Sequence, residues 1–531
     1  MLARSGFPPN KESGLLESGS QPEAGSGRQT SFSQFRILRD TIGYSGSAVF
    51  AQALGLVAGF WIARLLGPAD FGVWNAVSLV LAYGAYVEFG VLSAMGRDLP
   101  YYLGQRNTEH ALRLEGGARW ATIAGAILAA GFVFGASFLP SLANHAPIMR
   151  TGLRVMAVAL ILQQIYTYHR TVLRANNLFG ELSRQQFVSS IVNSGLSVLG
   201  VVILGLYGRM MFLVLAQALI MVYAIFRNPW RRIPAVDART MWQLFKTGVP
   251  ITLAGSILSL VTTVDRPIVL AYLGEKQLGY FGLALLLTSM VSLVPGMASQ
   301  VLYPRMTHLF GQSGRDVGAL RALVLKPPLV LACLLPVVIG PVYLVLPVVI
   351  RLLLPDYTPA ILATQIVVVG IFFSSILGVT DYFLVTTGKL KEYAFFGGCA
   401  LILNVAFDYV ALRLGFGIVG VAFCGTPLTY FVYSSAIIGY ALSHYTRDKR
   451  AWGKYFSRLW LPFAYMLGSL CCVGFVARWW NPEATAMGAI ASMGGQVAVY
   501  LVGMVPLVVM AARELGVELS LASLTRTIQG R

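Results

Sequence analysis

The stretch at residues 329–350 reads LVLACLLPVVIGPVYLVLPVVI and carries no charged side chain. A helix that crosses a membrane needs about 20 mostly apolar residues, because the hydrocarbon core is about 30 Å thick and a helix rises about 1.5 Å per residue. This stretch is long enough, and it lacks the alternation with period two that is typical of a membrane β-strand. It therefore predicts a transmembrane helix, and comparable stretches recur along the chain.

The composition of the whole chain of 531 residues also indicates a protein with many membrane spans. Only 12% of the residues are charged, 56% are hydrophobic, and the mean hydropathy is +0.69. A soluble domain is about one-quarter charged, so a soluble enzyme, a disordered scaffold and a disulfide-rich secreted module are excluded. The five cysteines lie inside apolar stretches at spacings that fit no zinc site. We expect no cofactor and no metal.

The same length criterion predicts an all-α polytopic membrane protein with about 14 transmembrane helices. The predicted spans are 42–66, 73–95, 118–142, 149–173, 186–208, 210–226, 247–273, 277–303, 325–354, 359–387, 394–415, 417–443, 459–478 and 485–512. Thirty-one of the 40 Lys and Arg residues lie in alternate gaps between these spans, starting with the N-terminal tail, eight lie on the other side, and Arg266 lies within a span. The positive-inside rule then places both termini in the cytoplasm.

A short pattern is repeated in the two halves of the chain. Residues 66–74 read LGPADFGVW and residues 273–281 read LGEKQLGYF, so Leu-Gly-x-x-x-apolar-Gly-x-aromatic recurs at an offset of 207. Asn193 and Asn404 are 211 apart. We therefore predict two pseudo-symmetric lobes of six helices each, related by an axis along the membrane normal, an arrangement that suits alternating access.

The predicted domains follow from the spans and the repeat. They are a disordered cytoplasmic N-terminal tail at 1–35, an N-lobe at 36–240 with spans 1–6, a C-lobe at 241–445 with spans 7–12, and a C-terminal region at 446–531 with spans 13 and 14 and a cytoplasmic tail. The tail is rich in Ser, Gly, Pro and Glu, which disfavours a packed core.

Over roughly residues 36–445 the chain resembles the polysaccharide (O-antigen type) flippases of the multidrug/oligosaccharidyl-lipid/polysaccharide exporter superfamily. The segments that carry this resemblance are 63–72, 97–100, 265–266, 273–274, 278–280 and 303–305. The resemblance implies a transporter, not an enzyme, that flips a lipid-linked oligosaccharide across the bacterial inner membrane, with undecaprenyl pyrophosphate as the typical carrier. It also implies a role in making O-antigen, lipopolysaccharide or exopolysaccharide, alongside a polysaccharide polymerase and chain-length machinery.

Charged side chains at membrane depth are functional candidates, because burying a charge in the bilayer is costly. Four acids lie within predicted spans, namely Glu88, Asp265, Asp381 and Asp408. Arginine offers a planar fork of donors that matches phosphate oxygens. The candidate substrate-binding residues of a cavity between the lobes are Arg64, Glu88, Arg97, Asp265, Arg266 and Arg305.

The acids among these candidates have more than one possible role. Glu88 and Asp265 are expected to balance the charge of the empty site or to bind a coupling proton or sodium ion. The competing interpretation is that the charges form structural ion pairs between helices, and that arginines near span ends extend to the membrane interface. Pro267, directly after Arg266, is expected to kink span 7.

Other functions remain open from the residues alone. A cation-coupled drug or metabolite antiporter of the same superfamily and a peptidoglycan-precursor flippase are both compatible with the layout. A membrane glycosyltransferase or polymerase is disfavoured, because no predicted outer loop is long enough to carry a catalytic domain. The net charge of +18 records membrane topology, since the cations are spread over many loops and form no single surface for nucleic acid.

Overall fold

The computed structural model describes residues 26–105, 107–139, 147–227, 238–480 and 486–515, and within them it contains helices and turns but no strand. The predicted all-α polytopic class is confirmed. Residues 1–25 of the predicted disordered tail and residues 516–531 lie outside the described residues. The first helix already begins at Ser26, inside the region predicted as tail.

Seventeen α-helices make up the described part of the chain. Those of the first half are α1 Ser26–Gly84, α2 Val91–Gly104, α3 Thr108–Ala136, α4 Pro147–Ala175, α5 Phe179–Arg227 and α6 Ala238–Val261. Those of the second half are α7 Asp265–Leu273, α8 Glu275–Val291, α9 Leu293–Gln312, α10 Arg321–Leu353, α11 Ile361–Thr386, α12 Leu390–Arg413, α13 Gly417–Phe423, α14 Thr429–Ser443, α15 Lys449–Trp480, α16 Ala486–Gly503 and α17 Val505–Leu515. A π-helical turn, Cys424–Leu428, joins α13 to α14.

Eleven helical segments of the described residues are long and apolar enough to cross a membrane. Two of them contain two spans each, because they are interrupted by non-helical glycines, Gly67 in α1 and Gly205 in α5. Span 8 is divided between α8 and α9 at Ser292 and is not among the eleven segments. The extra span in α1, the extra span in α5 and span 8 bring the total to fourteen. The turn between spans 5 and 6 lies at Gly205, so the predicted boundary near Arg209 was wrong. Arg209 lies inside a helix and donates a hydrogen bond to Ser197.

Four spans that look continuous in sequence are broken in the described part of the chain, one of them span 14, which is interrupted at Met504 between α16 and α17. Span 2 is interrupted by a turn at 85–90, between α1 and α2. Span 7 is interrupted at 262–264, just before α7, and span 8 at Ser292. Pro267 lies in the first turn of α7, where the missing N–H of proline costs no helical hydrogen bond, so the break precedes the proline.

The repeat seen in sequence extends to the backbone. Gly67 (φ 69°, ψ 173°) and Gly274 (φ 83°, ψ −179°) are 207 residues apart and share a conformation that favours glycine. The break at residue 85 lies 207 residues before the break at Ser292. Later in the halves the offset is 211, since α4 ends at Ala175 and α11 at Thr386, while α5 begins at Phe179 and α12 at Leu390.

The chain forms two compact units. The first comprises residues 1–66 and 77–253, and the second comprises 67–76 and 254–531. In the first unit α2, α3 and α4 pack together around a buried cluster that includes Met95, Leu99 and Tyr168. In the second unit α11 is the central helix, packed by α8, α9, α10 and α14, while α15, α16 and α17 pack on α10.

Candidate functional site

Asp265 is the first residue of α7, immediately after the break in span 7, and its side chain is buried in the second unit. A carboxylate at a helix N-terminus is favoured by the helix dipole and the unpaired N–H groups there. The carbonyl groups at the end of α6 stay engaged across the interruption, since Leu260 O accepts from the N–H groups of Thr263 and Val264. The break therefore places a buried acid at the N-terminus of a helix, beside a turn whose backbone is hydrogen-bonded.

Two polar residues of α12 face Asp265. Asn404 and Asp408 are four residues apart, so they lie on one face of α12, and both are fully buried. The Asn404 Nδ2 atom donates to Asp265 Oδ1 at 2.8 Å and to the Val261 carbonyl oxygen at 3.2 Å. The Asp408 carboxyl lies within hydrogen-bonding reach of Asp265. We call Asp265, Asn404 and Asp408 the acid cluster.

The acid cluster holds more acceptors than donors. The Asn404 amide oxygen and both carboxyl oxygens of Asp408 receive no hydrogen bond from N–H or O–H groups of the described residues. The π-helical turn closes the cluster, since a Cβ atom at Gly425 would come within 2.5 Å of Asp265 Oδ2. Two carboxyl groups this close cannot both be charged unless a cation lies between them. The chemistry of the cluster is therefore that of a site for a proton or a small metal cation.

Arg266 follows Asp265 on α7 and is half-buried. Its guanidinium lies within electrostatic range of the Asp265 carboxyl. Successive residues of a helix point about 100° apart, so Arg266 is directed to a different side of α7 from its neighbour. The structure thus places a positive charge beside the acid cluster, in the same unit and at the same break.

Glu88 lies in the turn at 85–90, which interrupts span 2 in the first unit, and it is buried. Its Oε2 atom accepts a hydrogen bond of 2.8 Å from the backbone N–H of Leu92, in the first turn of α2. This carboxylate therefore caps the broken helix. The contact gives Glu88 a structural role at a position that the sequence assigned to substrate binding.

The other three predicted arginines are exposed. In the first unit, the Arg64 guanidinium lies 5.8 Å from the Trp61 ring, and Arg97 pairs with its neighbour Asp98 at 2.6 Å. The Asp98 carboxylate raises the pKa of Arg97 above its ordinary value. Arg305 lies on α9 in the second unit. Of the six predicted residues, the structure brings Asp265 and Arg266 together at one break.

Sequence reasoning did not select Asn404 and Asp408 for the site, although both were visible. Asn404 was noted only as a partner in the repeat, and Asp408 only as an acid at membrane depth. Their spacing of four residues on one helix was the available signal. The first-half counterpart of Asp265, at the offset of 207, is Ala58, and that of Asp408, at the offset of 211, is Ser197. The acid pair is thus specific to the second half.

Comparison with known proteins places the chain among polysaccharide-related membrane proteins. The model of a family described as "Polysaccharide biosynthesis protein" matches residues 61–362, which is more than half of the chain. No curated protein sequence matches the chain significantly.

Several solved structures share the fold. A structure titled "Lipid II flippase MurJ, inward closed conformation" is similar with a TM-score of 0.66 at 13% identity, over 89% of this chain and 99% of that one. An inward-facing multidrug resistance MATE family transporter of the MOP superfamily is similar with a TM-score of 0.63 at 17% identity, over 74% and 94%. An outward-facing MATE family transporter is similar with a TM-score of 0.55 at 16% identity, over 77% of this chain and 95% of that one. At these identities the likeness establishes the fold alone.

Proposed function

This chain belongs to the polysaccharide biosynthesis protein family, and we propose that it flips a lipid-linked oligosaccharide, carried on a polyprenyl pyrophosphate, across the bacterial inner membrane. The product would be used for cell-surface polysaccharide. Its partners would be the lipid-linked substrate, membrane lipids, and the polymerase and chain-length machinery that act next, and both termini would be cytoplasmic. The support is the family match together with the fold, which is shared with transporters, one of them titled as a lipid II flippase.

The architecture supports transport by alternating access. The two halves repeat the same glycine conformations and the same break in their second spans. Broken spans in corresponding positions of a repeat are where transporters form their binding sites, because freed backbone groups become available to a ligand. The arginine beside the break in span 7, Arg266, is the residue that we assign to the pyrophosphate, since guanidinium groups bind phosphate oxygens bidentately.

The acid cluster is the observation on which the coupling mechanism rests. Buried carboxyl groups that lack donors are costly unless a cation neutralises them. We assign the cluster as the site for the coupling ion, a proton or a sodium ion. Loading and unloading of this ion at the break before α7 would bias the position of Arg266 on the same helix, and so link ion movement to movement of the anionic headgroup.

The function is tested by deletion of the gene from its host followed by complementation. We expect loss of surface glycan and accumulation of the lipid-linked intermediate, both reversed by the intact chain but not by Asp408→Asn. A matched control is Asp356→Asn, the same substitution at an exposed acid in the Pro355–Ala360 turn, which should restore glycan fully. Normal glycan after deletion would refute the proposal.

A cation-coupled drug or metabolite antiporter is the second candidate function. The observation that favours it is the fold shared with multidrug transporters, together with an acid-centred site. It predicts that deletion increases sensitivity to drugs and leaves surface glycan intact. The same deletion strain therefore decides between the two transport functions. An integral-membrane glycosyltransferase would instead lose sugar transfer to the lipid, so no complete lipid-linked intermediate would accumulate.

A further inference from the structure

A second buried acid of the second unit lies apart from the acid cluster. Asp381 is on α11, the central helix of the unit, and its side chain is 5% exposed. Neither of its carboxyl oxygens has a hydrogen-bond partner among the described residues, and it forms no ion pair with them. A bare charge in such a position is strongly disfavoured. The group must therefore be neutralised by something that is not a side chain of the described residues.

The surroundings of Asp381 consist of phenols. Tyr393 of α12 and Tyr433 of α14 lie within electrostatic range of its carboxyl, as does the neighbouring Tyr382, while Tyr430 of α14 lies within range of both Asp265 and Asp381. On α9, the ring of Tyr303 lies 4.6 Å from that of Tyr382. The Tyr433 hydroxyl is itself buried without a hydrogen-bond partner in the described residues, and it lies against Gly397 of α12.

This environment suits a proton better than a metal cation. Asp381 lies in the interior of α11, and the facing segments of α12 and α14 are regular α-helices, so the backbone carbonyl groups there are engaged in helical hydrogen bonds. A sodium ion at Asp381 would therefore find few backbone oxygens to complete the roughly six oxygen ligands that a hard cation takes. Phenol hydroxyls, by contrast, both donate and accept hydrogen bonds, so they can pass a proton to a carboxylate.

Asp381 lies close to one end of its helix, from which a proton can reach it. It lies five residues before the end of α11, or about 8 Å along the axis. Tyr393 is in the first turn of α12, next to the end where Lys389 contacts the exposed His444. The charge bias of the sequence assigns this end to the cytoplasm. Tyr393 thus lies between the buried carboxyl and the aqueous end of the unit, whereas Tyr433, ten residues before the end of α14, lies deeper.

We propose that Asp381 is a second proton-binding site, distinct from the acid cluster and filled from the cytoplasmic end past Tyr393. The proton is taken from water and returned to water, so no further reactant is needed. A role of this proton in coupling rests on the proposed transport function. The proton site itself does not, because it can be detected without substrate. A cycle that loads two sites would carry more positive charge per substrate than one that loads the acid cluster alone.

Infrared spectroscopy of the purified full chain tests the site directly. A protonated buried carboxyl gives a C=O stretch that shifts in ²H₂O. We expect Asp381→Asn to remove one such band that Asp408→Asn leaves in place, and Asp356→Asn to leave the spectrum unchanged. The band should persist when sodium chloride replaces choline chloride, and Tyr393→Phe should slow its exchange with ²H₂O.

Two results would overturn the inference. One is an Asp381→Asn spectrum identical to that of the unaltered chain. The other is a band that disappears when sodium is added, which would show that a metal cation occupies the site. Because these readouts need no substrate, a chain that shows the band but exports no glycan would refute the proposed function and leave the proton site standing. Titration of the band in the unaltered chain gives the same information if the variant does not fold.

Discussion

Gly72 and Gly279 occupy equivalent positions of the repeat, and each packs against a backbone carbonyl group of the other's segment. A Cβ atom at Gly72 would overlap the carbonyl of Glu275, and one at Gly279 would overlap the carbonyl of Pro68. Pro68 and Glu275 are themselves 207 residues apart. All four residues belong to the second unit, into which the segment 67–76 is packed. The repeated glycines therefore form a reciprocal backbone crossing, which only glycine allows at this distance.

Replacement of either crossing glycine should separate the two segments. Gly72→Ala and Gly279→Ala should each destabilise the purified chain by about 1–3 kcal/mol, the usual cost of overpacking a tight contact. Thermal unfolding in detergent measures the loss. Gly131→Ala is the control, because a Cβ atom there meets nothing within 4 Å. Equal melting temperatures for all three variants would show that the crossing does not hold the segment.

Asn404 should contribute to stability as well as to the acid cluster. It donates to both Asp265 Oδ1 and the Val261 carbonyl. Asn404→Ala leaves two buried acceptors without a donor and should cost about 1–3 kcal/mol in unfolding free energy. Asn176→Ala, which removes a half-buried bond of 2.8 Å to the Val172 carbonyl, should cost less because water can replace it. A larger loss in Asn176→Ala than in Asn404→Ala would contradict the described contacts.

Glu88 should behave as a helix cap. Glu88→Gln keeps an oxygen that can accept from Leu92 N–H, so export of glycan should be largely retained. Glu88→Ala removes the cap and should destabilise the chain by about 0.5–2 kcal/mol, the range measured for lost caps. Glycan export and thermal unfolding of both variants give the comparison. Loss of export in a stable Glu88→Gln protein would instead assign the charge itself to transport.

Arg266 should be needed for transport and not for folding. Arg266→Ala is expected to abolish surface glycan at a normal protein level, and Arg266→Lys should restore little, since an ammonium group cannot bind phosphate bidentately. Arg413→Ala is the control, because Arg413 is exposed and lies against Tyr409, away from the acid cluster. Unchanged glycan in Arg266→Ala would exclude the residue from the substrate path.

The sequence predicted the helical class, the repeat and the acids at membrane depth, because length, apolar content and a shared offset are local properties. It did not predict the breaks at 85–90 and Ser292, where apolar side chains continue through a backbone that is not helical. It also did not pair Asp265 with Asn404, since 139 residues separate them and only packing of α12 on α7 brings them together. The capping contact of Glu88 was not predicted either, because a capping carboxylate and a ligand-binding one have the same sequence signature.

The central claim is transport of a lipid-linked oligosaccharide, and a flipping assay on the purified full chain tests it most directly. The probe is the lipid-linked material extracted from the deletion strain, placed in vesicles with the chain and then exposed to an external glycosidase. With a cation gradient, we expect sugar on the inner leaflet to become accessible to the enzyme, and Asp408→Asn to prevent this. If the protected fraction stays the same with and without the intact chain, the account is wrong.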